Sequence, residues 1–263
     1  MISLNSRELV SRLSLYKMGI KMEERIIASI HGAEKVLVGV GELFQEKYLP
    51  LKKEEFLKLE KENSLLAGYK KIKYLKENTD DPVKKAYKGL MELLKDKDYY
   101  IITTCNDDKI YDIGFEENRI VSPCGNLRYI QCIKNCSKEL LSVSQEMIEN
   151  EEIIACPYCK KPTCFNQIDE ENYNENSYLP DWNQYNKWLQ STVNKRLCVL
   201  ELGVSFKYPT VIRWPFEKIV YFNKKAELYR IHDSLFQVSQ EIKDKCFPIE
   251  ENPIDYLINK IVE

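Results

Sequence analysis

The sequence predicts an α/β protein: a parallel sheet with helices on both faces, interrupted by a small module built on cysteines. Three observations carry this. The short apolar runs KVLVGV (35–40), YYIITT (99–104) and LCVLEL (197–202) alternate with longer stretches whose apolar residues recur at helical spacing. Strands buried on both faces read as near-continuous apolar runs, and the helices between them supply the cover. Two close pairs of cysteines fall between the second and third runs.

Taken in order, Asn5 followed by Glu8 reads as a reciprocally capped helix start. That helix is expected over 6–30, weak at Gly19 and stopped at Gly32. Strand 35–40 ends in the glycine pair Gly39 and Gly41. Phe56, Leu59, Leu66, Tyr69 and Ile72 give 52–77 one apolar helical face, and Lys and Glu fill the other as solvated charge. Pro82 opens another helix, with Val83, Tyr87, Leu90 and Leu94 on one side. Strand 99–104 is followed by RIVS (119–122), and the polar stretch 166–180 reads as loop. Asp181 is expected to cap a helix reaching about Asn194, with Trp182, Tyr185 and Leu189 inward. KIVYF (218–222) and LYRI (228–231) read as strands, the first with a helical alternative. A last helix starts near Pro253. The expected division is 1–127 for the first part of the sheet domain, with a helical segment at about 45–96, then 128–165 for the module and 166–263 for the second part of the sheet domain. Ligands of such sheets bind at the carboxyl edge of the strands. The loops VGVGELF, TTCNDD and LGVSFKYP are therefore the places to look for a site.

Lys and Arg number 39 and Asp and Glu 41, so no global charge draws the protein to nucleic acid or an anionic membrane. No apolar run reaches the roughly 18 residues of a membrane span. The opening MISLNSRELVSR is broken by charges and lacks the apolar core of a secretory signal, which predicts a cytoplasmic protein. In that reducing compartment nine cysteines need an explanation other than disulfides. Cys132 and Cys136 have three residues between them, Cys156 and Cys159 have two, and 19 residues separate the pairs. Each pair can form a tight knuckle, and four thiolates at about 2.3 Å satisfy a tetrahedral Zn²⁺. This predicts a closed, structural zinc site of ribbon type, its excess negative charge offset by Lys134, Lys138, Lys160 and Lys161. Cys164 is left over as a small apolar residue. The module lacks a basic recognition helix and an aromatic series for stacking, so a zinc-based nucleic-acid reader is the least favoured reading.

The segments IITTCNDD, SPCGNLRYIQCIKNC, IIACPYC and LCVLELGVSFKYPTVIRWPFE, in that order, resemble the sirtuin family of NAD-dependent protein deacylases and ADP-ribosyltransferases. The last segment is similar to a bacterial branch associated with ADP-ribosyl transfer. The resemblance runs from about Glu34 to Asp233. It implies a large Rossmann-like domain, a small zinc-holding domain, and NAD in the cleft between them. Gly39, Val40 and Gly41 match the first glycine turn beside the cofactor phosphates. Gly203, Val204 and Ser205 match the turn near the adenosine half. Asn223 and His232 fall near the segment that meets the adenosine, with His232 at a usual asparagine.

The resemblance breaks where chemistry is expected. The first glycine turn continues as GVGELFQEKYLP, with Glu42 and Leu43 in place of small or polar residues and no recognisable arginine-bearing loop. A carboxylate at Glu42 repels a pyrophosphate at close range. In the family's Thr-Gln-Asn-x-Asp loop, Thr104 takes the glutamine position, Cys105 the catalytic asparagine and Asp107 the aspartate. Cys124-Gly125 stands at the His-Gly motif, and neither of the two histidines falls there. Cys105, Asp107 and Cys124 are thus the candidate catalytic positions, and Thr104 joins the cofactor set. The function implied is binding of NAD or ADP-ribose, with ADP-ribosyl transfer to, or deacylation of, an acceptor protein if the site is active. The alternative is a catalytically silent interaction module that keeps the shape.

Overall fold

The structure, a computed structural model, describes residues 21–45, 53–77 and 81–260. The expected cap at Asn5 and Glu8 and the weak point at Gly19 lie outside the described residues. The strands are β1 (Lys35–Val40), β2 (Tyr99–Thr103), β3 (Ile120–Val121), β4 (Gly125–Cys132), β5 (Leu141–Ser142), β6 (Thr163–Gln167), β7 (Leu197–Leu202), β8 (Ala226–Ile231) and β9 (Cys246–Ile249). Six of them form one parallel sheet in the order β3-β2-β1-β7-β8-β9. The other three form a separate antiparallel sheet, β5-β4-β6, in the cysteine module.

Side chains alternate across the main sheet with period two. Val36, Val38 and Val40 enter one core together with Cys198, Leu200 and Leu202; Leu37, Leu197 and Val199 enter the core on the opposite face. The first core is covered by α1 (Met22–Gly32), α4 (Pro82–Leu93) and α8 (Pro253–Lys260), through Ile26, Tyr87 and Leu257 among others. The second is covered by α6 (Leu179–Gln190) and α7 (Arg213–Phe222), through Tyr185, Trp188, Phe216 and Val220. The predicted two-faced α/β architecture is what the chain forms.

Several boundaries differ from expectation. Gly32 is the last residue of α1 rather than a stop beyond it. The stretch 52–77 is two helices, α2 (Lys53–Glu62) and α3 (Ser64–Glu77), because the Asn63 carboxamide accepts the Leu66 N–H at 3.0 Å and caps a new start. Leu65 takes the inward position there and Leu66 is only partly covered. Asp181 lies in the first turn of α6, which starts two residues earlier with Pro180 near its N-terminus and ends at Gln190. KIVYF is helical: Ile212, Phe216 and Val220, spaced by four, make one buried stripe, and Tyr221 and Phe222 are exposed. Strand β9 was not foreseen. It is a four-residue edge strand containing Pro248, and both features hide a strand from pattern reading.

Helix α3 packs on the module sheet, with Leu65, Tyr69 and Ile72 against Leu127, Ile130, Phe165 and Ile148 of α5 (Gln145–Glu149). Gly68 makes this possible, since a Cβ there would stand 2.1 Å from the Phe165 ring. Gly68→Val is therefore expected to lower stability by about 1–3 kcal/mol through overpacking, measurable by denaturant unfolding. Among the described residues no helix is long and apolar enough to cross a membrane.

Candidate ligand cleft and cysteine centre

From β1 the chain builds outward through β2 and β3 on one side and from β7 through β8 and β9 on the other. The order therefore reverses between β1 and β7, which opens a crevice at their carboxyl ends. Two glycine turns meet in it. Gly41 N–H donates to Leu202 O at 2.8 Å, and Leu43 N–H to Gly203 O at 3.2 Å. A Cβ on Gly41 would lie 2.2 Å from the Val204 Cα, and Gly203 holds φ 64°, so both positions need glycine. The Glu42 carboxylate reaches across: its Oε2 accepts the Ser205 N–H at 2.9 Å, and its Oε1 is buried with no partner among the described residues. Gly39 serves packing, since a Cβ there would stand 2.4 Å from Ile212 and 2.7 Å from Phe216 of the overlying helix segment. Val40 is core.

The β2 loop closes one side. Thr104 N–H donates to Val40 O at 3.0 Å, and the Cys105 thiol donates to Gly41 O at 3.1 Å. Asn106 is clamped by Gln45, whose Oε1 accepts its N–H at 3.1 Å and whose Nε2 donates to its Oδ1. Burial pushes the Cys105 thiol well above its usual range, with Asp107 and Glu42 adding to the rise. Cys124, just past β3, is likewise buried and pushed up to about 12 by desolvation and then by Glu42. Both thiols are protonated at neutral pH and poor nucleophiles. Gly125 follows with φ 77°, and a Cβ there would meet Asn166 O at 2.1 Å, so this is a tight entry into the module.

Asp107 is buried, and desolvation raises it to about 7; its Oδ1 accepts the Lys109 N–H at 3.4 Å. A carboxyl whose folded pKa exceeds its unfolded value of about 3.9 holds its proton longer in the fold, so its contribution to stability falls as pH rises from about 4 to about 7. Asp107→Asn removes that loss. Its Tm advantage over the natural protein is expected to grow between pH 5 and pH 8 in thermal melts; an equal offset at both pH values would contradict this assignment. Nearby, Asp81 caps α4 by accepting from Val83 N–H at 2.9 Å and pairs with Lys109 in a fully buried ion pair. Sequence reading missed this pair, although the Asp-Pro dipeptide before the helix was a cap signal.

His232 follows β8 at the same carboxyl edge. Its Nδ1 accepts from Ser234 N–H and Leu235 N–H, each at 3.1 Å, which leaves the proton on Nε2. Asp233 Oδ1 lies 2.9 Å from the same Nδ1, but the two backbone donors decide the tautomer. Burial lowers the His232 pKa, so the ring is a neutral donor through a buried Nε2 that has no partner among the described residues. Thr104 Oγ1 is buried and unpartnered in the same sense. The Glu42 carboxylate adds, through space, to the pKa of Cys105, Cys124 and His232. Asn223 is not brought to this edge. It ends α7 on the amino side of β8, where its Nδ2 donates to Thr192 O and Lys195 O and its Oδ1 accepts from Lys225 N–H.

In the module the sulfurs of Cys132, Cys136, Cys156 and Cys159 all lie within 4.8 Å of one another, with Cys132–Cys159 and Cys136–Cys156 at 3.5 Å. A tetrahedron of sulfurs about 2.3 Å from a central ion has edges of about 3.8 Å, so the four fit one Zn²⁺. Asn135 and Lys160, both at positive φ, turn the two knuckles. Backbone N–H groups of Cys159 and Tyr158 point to the Cys156 sulfur and lower its pKa, favouring the thiolate that a metal needs. Cys164 lies buried in β6, outside this group.

No family model matches the chain. Two curated relatives are similar to it. A protein ADP-ribosyltransferase of Staphylococcus aureus is 22% identical over 66% of this chain and 59% of its own length. A probable bifunctional ADP-ribose hydrolase/ADP-ribosyltransferase of Fusarium oxysporum is 23% identical over 47% of this chain and 24% of its own. The chain thus spans about three-fifths of the first relative and a quarter of the second. Among solved structures, a Sir2 homologue–NAD complex superposes with a TM-score of 0.56 at 12% identity, over 93% of this chain and 94% of that one. A Sir2 protein bound to a myristoylated histone peptide gives 0.55 at 15% identity, over 92% and 96%. Superposition over nine-tenths of both chains shows the fold: the chain has the sirtuin fold, and the curated relatives it resembles are named for ADP-ribosyl transfer.

Proposed function

We propose that the chain binds NAD or ADP-ribose, mainly through the adenosine half, in the crevice between β1 and β7, and that Cys132, Cys136, Cys156 and Cys159 hold a structural Zn²⁺. ADP-ribosyl transfer from NAD to an acceptor protein is the reaction class to test first, with deacylation as the related one. The observation that carries the binding proposal is the pair of buried unpartnered atoms at the carboxyl edge, the Thr104 hydroxyl and His232 Nε2–H. Buried polar groups are rarely left unpaired, and hydroxyl-rich ligands such as a nucleoside suit one donor and one donor–acceptor. The glycine turns let a ligand approach backbone closely. The Glu42 carboxylate on Ser205 N–H opposes the pyrophosphate, which is why the adenosine half is the part of the ligand the cleft favours.

A second reading, a silent interaction module, is favoured by one feature. Cys105 and Cys124 are buried and protonated, and His232 offers only a donor towards the cleft, so none of the three is a base at neutral pH.

Calorimetric titration with ADP-ribose tests binding, and nicotinamide release from NAD tests turnover. Binding without release would support the second reading; no heat with either ADP-ribose or adenosine at millimolar concentration would remove the binding proposal. Ser205 Oγ accepts Lys207 N–H at 3.0 Å, which leaves its own proton to donate. Ser205→Ala is accordingly expected to weaken ADP-ribose by about fivefold, the worth of about one net hydrogen bond of 1 kcal/mol.

A further inference from the structure

Backbone N–H groups at the carboxyl edge of a parallel sheet, where a glycine turn permits close approach, are the usual receivers of ligand phosphate. In this chain one such group is already taken. Ser205 N–H, just past β7 at the switch point, donates to Glu42 Oε2 at 2.9 Å. Glu42 belongs to the neighbouring turn, and the two turns are locked together by Gly41 N–H to Leu202 O and Leu43 N–H to Gly203 O. Leu43 fills the space over Gly203, so the 42–44 turn sits on the crevice as well as charging it. The second carboxyl oxygen is buried and has no partner among the described residues, which is unusual for a buried polar atom.

We propose that Glu42 is a built-in anion that occupies the phosphate position of the cleft and thereby selects against pyrophosphate-bearing ligands. This rests on the nucleotide-binding reading given above. The side chain supplies the negative charge and the acceptor oxygen that a ligand phosphate would bring, held by the same backbone donor. A dinucleotide must displace the carboxylate from Ser205 and bear its repulsion, whereas a nucleoside without phosphate need do neither.

The test compares ADP-ribose and adenosine by calorimetry on the natural protein, Glu42→Ala and Glu42→Gln. The glutamine variant keeps the volume and an acceptor for Ser205 N–H, so it preserves the turn if alanine loosens it. Thermal melts report on folding. Both variants are expected to bind ADP-ribose about tenfold or more tightly than the natural protein, the scale of one charge-assisted hydrogen bond removed from competition. Adenosine should gain nothing. ADP-ribose binding that is equal in all three proteins overturns the Glu42 proposal and leaves the nucleotide-binding reading standing. An equal gain for adenosine also overturns it, since that would mean opened space and not relieved charge. Binding of neither ligand to any of the three proteins overturns both.

Discussion

Cys156→Ser, or prolonged chelation, is expected to unfold the cysteine module while leaving the parallel sheet folded. The module has little else to hold it. Its antiparallel sheet has two strands of real length and a two-residue third. Its apolar core is Leu127, Ile130, Ile148 and Phe165, borrowed in part from α3. A unit of that size does not fold on hydrophobic burial alone and needs a staple. Structural zinc in small domains contributes about 10–16 kcal/mol of apparent binding energy at neutral pH, which then appears as folding energy. Hydrogen exchange should show amides in 125–167 losing protection and those of 35–40 and 197–202 keeping it. Elemental analysis should find about one zinc per chain in protein purified without added metal. A metal-free protein with a fully protected module would refute the zinc assignment.

The sheet was legible because burial on both faces writes itself into the strands. KVLVGV and LCVLEL carry apolar residues of both parities, and the structure sends each parity to its own core. The cysteine cluster was legible because a metal-ligand spacing is a local signal. Non-local polar pairing was not. Asp81 and Lys109 lie 28 residues apart, and nothing in either segment names the other. Gln45 gripping Asn106 is equally invisible before the β1–β2 register is known. The glycine turn shows a subtler case. Gly39 and Gly41 look alike in sequence, yet the first makes room for the Ile212 and Phe216 side chains and only the second faces the opposing turn. Asn223, matched by position to a ligand segment, is saturated by the turn it closes at the far edge of the sheet. Similarity of sequence pointed to a set of positions, and geometry shows which of them lie at the carboxyl edge of the sheet and which, like Asn223, do not.

Glu201→Ala is expected to cost about 3–5 kcal/mol in stability, a large fraction of what a domain of this kind has. Glu201 and Arg230 are partners in the β7–β8 register, and both point to the face covered by α7. There the Arg230 guanidinium donates to Glu201 Oε2 at 2.9 Å, and Arg213, the first residue of α7, reaches Oε1 at 3.4 Å. Glu201 is 0% exposed and Arg230 1%. Removing the carboxylate leaves two guanidinium groups in a buried site with, among the described residues, Glu217, 2.8 Å from Arg230, as the remaining counter-charge. The loss therefore comes from stranded cations more than from a missing attraction. It follows that Glu201→Leu with Arg230→Met should lose less than Glu201→Ala alone, because one guanidinium, that of Arg213, is left without its carboxylate instead of two. The network also reaches the cleft: Arg213 donates to Val204 O at 3.2 Å and to Leu235 O at 2.8 Å, beside Ser205 and His232. Loosening it should weaken ligand binding along with stability. Urea unfolding of the single and double variants would measure the difference. A double variant as unstable as Glu201→Ala would show that the triad itself, rather than the avoidance of a stranded charge, holds the sheet and α7 together.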